Sequence, residues 1–167
     1  MPMDTYAKLL SVMESLVMQH RKLVDLEQDK VRLIIDQDWK HLEAKVEKSK
    51  DVLRSIEDAE RQRVGLFETI DERWKDNPPS VSTLIEHVPS PFRADIQQAA
   101  ETLRSTMMEL RSLNKRSEQL IAGSLEVVDF TLSLLSGASS KGRTYSGDGE
   151  EKLEGGEHPS LVFDVKA

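Results

Sequence analysis

Residues 39–74 read WKHLEAKVEKSKDVLRSIEDAERQRVGLFETIDERW. Within this stretch Trp39, Leu42, Val46, Ser49, Leu53, Ile56, Glu60, Arg63, Phe67, Ile70 and Trp74 recur at alternating steps of three and four. Kept up through about five heptads, that step draws one stripe along a helix, the signature of helices that pair lengthwise. The same step returns at Ile96, Ala99, Leu103, Thr106, Leu110, Leu113, Ser117, Leu120, Ser124, Val127, Thr131 and Leu134. From Ser117 on, small polar residues share the seam with an apolar flank of Ile121, Leu125, Val128 and Leu135. A stripe both broad and interrupted suits a surface that exchanges partners better than a fixed core.

Upstream, apolar residues keep a seven-residue repeat in adjacent rows: Tyr6, Met13, His20 and Ile34 in one, Leu10, Val17, Val24 and Val31 in the next. Leu9, Leu16 and Leu23 form a third row beside them. A stripe this wide is what a helix needs when it packs against more than one neighbour. The expected fold is all-α: an elongated antiparallel helical bundle, or coiled coil, of three long helices with a flexible C-terminal tail.

The breaks follow from local chemistry. A first helix is expected over about 4–35, with Asp4 as N-cap. Asp36-Gln37-Asp38 interrupts the pattern and Asp38 suits an N-cap, but no strong breaker stands there, so a continuous helix stays open. A second helix is expected over 38–76, ended by Asn77-Pro78-Pro79, since proline cannot continue the hydrogen-bond ladder. Trp39 and Trp74 are expected to pack at its two ends, while Gly65 falls off its seam. A short turn over 83–88, capped by Ser82, leads to a third helix over 91–136 that begins at Pro91 and stops at Gly137. Residues 1–136 thus form one helical domain. Residues 137–167, rich in glycine, serine and acidic side chains, cannot bury enough apolar surface to offset chain entropy and read as a flexible acidic tail. Leu161-Val162-Phe163 in that tail either docks on the protein or serves as a short linear binding element.

Composition narrows the function. The formal net charge of -7 argues against nucleic acid or an anionic membrane surface as partner, since both want a basic face. No stretch approaches the ~20 apolar residues of a membrane span, and no secretory signal pattern opens the chain, so a soluble cytoplasmic protein without stable membrane insertion is expected. Cysteine is absent, which removes disulfides, thiolate metal sites and thiol nucleophiles. His41, His87 and His158 lack metal-site spacing, and His20-Arg21-Lys22-Leu23-Val24 lacks the arrangement of a lysine with a glycine or small residue just after a phosphorelay histidine. No catalytic constellation is present, and neither enzyme activity nor a cofactor is expected. A helical binding protein is.

Leu113-Asn114-x-x-Ser117-x-x-Leu120-Ile121-x-x-Ser124-Leu125-x-Val127-Val128 resembles the third helix of the FlgN family, flagellar export chaperones for hook-associated (hook–filament junction) proteins. The family pattern there is Leu-Asn-x-x-Asn-x-x-Leu-Ile, an apolar run, and a glycine-containing tail with tyrosine near its start; Tyr145-Ser146-Gly147-Asp148-Gly149 stands in that place. Ile35-Asp36-Gln37-Asp38-Trp39-x-x-Leu42 resembles the family's link between its first two helices. One departure is that the second family asparagine falls on Ser117.

The resemblance implies a chaperone of the flagellar type III system that binds the C-terminal helical segment of a junction protein and prevents premature assembly. It also implies delivery to export-gate or ATPase components of the secretion apparatus. The client-binding residues it points to are Leu113, Asn114, Ser117, Leu120, Ile121, Ser124, Val127, Val128, Leu134 and Leu135. Two readings of these residues stay open at this stage: the stripe is a client surface or it is core, and Asn114 is a client contact or a buried register-setting group. An exposed third helix would also let the free protein associate weakly with itself. The alternative function is a structural coiled-coil adaptor held permanently in an oligomeric machine.

Overall fold

The computed structural model describes residues 2–135, and every regular element among them is helical. Helix α1 spans Pro2–Ile35 and α2 spans Trp39–Ile70; a 3-10 turn covers Glu72–Trp74, α3 spans Val81–His87 and α4 spans Ser90–Leu135. Three are long, at 34, 32 and 46 residues. The expectation of a flexible tail over 137–167 lies outside the described residues.

The link after α1 is a true break. Gln37 adopts a left-handed backbone (φ 56°). Its N–H donates to the Ile34 carbonyl at 3.1 Å, and the Asp38 N–H donates to the Leu33 carbonyl at 2.9 Å. These paired bonds close the carbonyl end of α1 in the manner that usually calls for glycine. Asp38 then caps α2, its carboxylate accepting the His41 N–H at 3.3 Å.

The helix expected over 38–76 ends earlier, at Ile70, and proline is not the cause. Asp71 leaves helical geometry (φ -148°, ψ 115°) and its carboxylate accepts the Arg73 N–H at 3.0 Å, which starts the 3-10 turn. Hydrogen bonds from the Arg73 side chain and backbone hold the Asp71 carboxyl down at about 2. The other ends shift less. Ser80 rather than Ser82 caps α3, which runs over 81–87 rather than 83–88. Helix α4 begins at Ser90, one residue before Pro91, and α1 begins at Pro2, with Asp4 in its first turn paired to Lys8 at 2.7 Å.

Two apolar clusters set the topology. In one, Tyr6, Leu9 and Met13 of α1 meet Phe67 of α2 and Ile96 of α4; in the other, Leu16 and Leu23 meet Ile56 and Leu103. Residue numbers therefore rise together on α1 and α4 and fall on α2. Helices α1 and α4 are parallel, and α2 is antiparallel to both. The backbone of α1 comes close to both partners, whereas those of α2 and α4 do not come close to each other. The wide stripe on α1 is thus explained by its central position.

Trp74 is buried at one end, edge-on to Phe67 (ring centroids 6.1 Å) and to His87 (5.0 Å). The Tyr6 hydroxyl donates to the His87 carbonyl at 3.0 Å, tying α1 to α3. Trp39 does not pack at the other end as expected: it is 50% exposed, and Val46 and Leu53, one and two heptads on, are also exposed. That half of α2 rests on α1 through Ser49 and Ile56 and leaves its outer row wet.

Gly65 is exposed on α2, and a Cβ there would meet nothing within 4 Å. Gly65→Ala is expected to stabilise the fold by about 1 kcal/mol through helix propensity alone. Urea denaturation checks it, with a raised midpoint and an unchanged slope.

Candidate functional site

The site begins with a buried charge. Glu27 on α1 is only 4% exposed. The Ser117 hydroxyl of α4 donates to it at 2.6 Å, and the Lys30 ammonium, one turn along α1, pairs with it. The Asn114 amide, with its NH2 turned toward α1, donates to both carboxylate oxygens at 3.2 and 3.3 Å. A buried carboxylate is tolerable only when its oxygens are supplied with donors in this way. The cluster fixes the register of α4 against α1.

That register determines where α4 loses its support. With the two helices parallel and Glu27 level with Ser117, the last residue of α1, Ile35, lies level with Leu125. The α4 residues 125–135 therefore run on alone for about 16 Å. Every one of them is exposed. Seven are large and apolar: Leu125, Val127, Val128, Phe130, Leu132, Leu134 and Leu135, with Leu135 79% exposed. Only Glu126 and Asp129 carry charge. Contiguous exposed apolar surface of this kind is uncommon on monomeric globular proteins.

The residues singled out in the sequence divide into two groups. Leu113, Leu120 and Ser124 are half-buried and Ser117 is buried, on the side of α4 that meets α1. The Ser124 hydroxyl is committed to the Leu120 carbonyl at 3.0 Å. Asn114 remains exposed at the edge of this seam while reaching Glu27. Ile121, Val127, Val128, Leu134 and Leu135 are exposed. Phe130 and Leu132 belong with them, yet lie off both the seam and its flank. The signal for them is that the run from Leu125 to Leu135 is apolar over most of the helix circumference, with Glu126, Asp129 and Ser133 sharing one narrow face, whereas a stripe counts only one row.

Glu27 carried a signal too. The seven-residue row Tyr6, Met13, His20, Ile34 has its missing place at position 27, so a carboxylate interrupts an otherwise core-facing row. His20 in that row is a packed core residue, 2% exposed, whose Nδ1 donates to the Leu16 carbonyl at 2.8 Å. Among the described residues no group of three or more acidic, histidine or cysteine side chains is arranged to hold a metal ion. Nor is any described helix long and apolar enough to cross a membrane.

The family model described as FlgN protein matches residues 1–152. The chain belongs to the FlgN family. This is the flagellar export chaperone family, and its role is in flagellum biogenesis. No curated protein and no solved structure matches the chain significantly.

In this FlgN-family chain the Glu27 cluster ties α4 to α1 about two turns before the free end begins, which gives that cluster a measurable role. Glu27→Ala strips Ser117, Asn114 and Lys30 of their common acceptor and is expected to cost about 1–3 kcal/mol. Glu27→Gln, which retains one acceptor oxygen, is expected to cost less. Urea denaturation ranks the two, and faster amide hydrogen exchange over residues 110–124 locates the loosening.

Proposed function

We propose that this chain is a cytoplasmic chaperone for hook-associated (hook–filament junction) proteins, holding the C-terminal helical segment of one of them on the free end of α4. It keeps that segment from assembling prematurely and hands the subunit to export-gate or ATPase components of the flagellar type III apparatus. The observation that carries this reading is the unsupported run from Leu125 to Leu135, exposed and apolar over most of its circumference, joined to Ile121 at its root. Membership of the export chaperone family supports the class of client.

The energetics suit a carrier. Each large apolar side chain fully covered contributes roughly 1.5–3 kcal/mol gross. Helix ordering and lost rigid-body freedom remove much of the sum. A net near -8 kcal/mol, or about micromolar affinity, allows both capture and release. A client helix laid along an apolar partner is the matching mode of recognition. Uncovered, the same surface gives the free protein a weak tendency to self-associate, which a client displaces.

Calorimetric titration tests the reading, using the C-terminal segment of each junction protein from the same genome against the full chain and a version ending at Ser124. The expected result is 1:1 binding, micromolar or tighter, that disappears in the shortened version. Absence of binding by the folded full chain would reject it in favour of a permanently bound structural coiled-coil adaptor.

A further inference from the structure

Beside the seam that faces α1, another side of α4 borders a groove of about 850 Å³, floored by His20 of α1. Met107, Met108 and Leu110 supply its apolar surface. Arg104, Arg111 and Lys115, spaced seven and four apart, line up along α4 at its edge. None of these three cations has an ion pair with a described residue, and Glu118 at the distal end is the one acidic side chain in the lining. The groove therefore asks for a segment that is acidic and carries a few large apolar side chains.

The chain itself holds such a segment. Between Asp148 and Asp164 there are six acidic residues (Asp148, Glu150, Glu151, Glu154, Glu157, Asp164) against one basic residue, Lys152. The apolar triplet Leu161-Val162-Phe163 lies near its end. The intervening residues 136–147 carry only two charges, Lys141 and Arg143, both of the opposite sign. Their length fits the return path. From Lys115 to Leu135 is about 30 Å of helix, and the twelve residues 136–147 span up to about 40 Å when extended. Asp148 can thus come back level with the groove. Tethering also lowers the affinity required, because a segment held at millimolar effective concentration occupies its site through contacts too weak to join two separate molecules. The family match ends at residue 152, so the triplet and half of the acids lie outside the portion shared with the family.

We propose that residues 148–164 fold back into this groove, with their acidic side chains against the Arg104, Arg111 and Lys115 row and Leu161-Val162-Phe163 on Met107, Met108 and Leu110. The site is distinct from the exposed run at 125–135 and does not depend on which client that run takes.

The absence of cysteine makes disulfide trapping in the full chain a clean test. Met108 and Met18 are both exposed, at 64% and 51%, and lie on different sides of the bundle, so either accepts cysteine without disturbing the core. The Met108→Cys/Val162→Cys protein is expected to close an intramolecular disulfide at least about 10-fold faster than Met18→Cys/Val162→Cys, the advantage coming from local concentration. Adding Arg104→Glu and Arg111→Glu, or raising salt to about 0.5 M, should remove most of that advantage by screening or reversing the charge. Lys115→Cys with Glu157→Cys repeats the test at a second point. Equal rates for the two pairs would overturn the proposal and leave the groove to another protein. Disulfides formed between molecules would assign it to a second copy, and trapping indifferent to salt and to charge reversal would remove the acidic recognition; each overturns the proposal as well.

Discussion

Replacing Leu125, Val128 and Phe130 together by aspartate is expected to weaken client binding at least about 100-fold while shifting the melting temperature by no more than about 2 °C. The first figure follows from burial. Three large side chains that a client would cover contribute several kcal/mol gross, and about 2.7 kcal/mol of net loss already amounts to 100-fold. The second follows from position. These residues are 60%, 51% and 65% exposed and stand at or beyond the end of α1, so little packing in the bundle is lost. Aspartate near a helix C-terminus is unfavourable with the helix dipole, but that penalty frays only the free end. Calorimetry against a junction-protein segment and a thermal melt followed by circular dichroism measure both quantities. A collapse of the melting transition would reassign these residues to a core contact.

The opposite pattern is expected of Leu103→Ala. Leu103 is 2% exposed and sits in the cluster that joins Leu16 of α1 to Ile56 of α2. Truncating a leucine so enclosed costs about 2–5 kcal/mol, the spread depending on how far the neighbours collapse into the cavity. Because α1 and α2 hold each other through the same cluster, the whole bundle should lose stability together. Client affinity, measured where the variant is still folded, should stay within about 3-fold of the parent, since the nearest residue of the free run is 22 positions further along α4. Denaturation in urea together with the same titration checks both parts. The two variants thus separate stability from binding along a single helix.

Much of this arrangement was legible in local patterns. The alternating steps through 39–74 and 96–134 identified helices because helical periodicity is a property of each segment alone. The three rows on α1 announced a helix with two neighbours, which it has. The Gln37 turn was harder to read, since a non-glycine residue in left-handed backbone carries no strong sequence mark. The early end of α2 was hidden for a related reason. Asp71 stops the helix by a bond from its own carboxylate to the Arg73 backbone, while the louder prolines lie seven and eight residues downstream.

Among the candidate site residues the division is sharper. Ser117 sits on the same three-four seam as Ser124 and Val127, and periodicity treats them alike. Only the chain folded on itself brings Glu27, ninety residues earlier, against the Ser117 hydroxyl. Trp39 and Trp74 open and close one stripe, yet one is wet and the other enclosed, because α3 and its turn cover one end of the bundle.

By itself, the sequence determined the helices, their order and the apolar character of the last turns of α4. These depend on residues within a few turns of one another. The tertiary structure alone decided that α4 runs parallel to α1, that a buried carboxylate sets their register, and that support for α4 ends near Leu125. Such features depend on the relative length and offset of helices far apart in the chain, and helical periodicity specifies which side a helix buries without specifying where its neighbour stops.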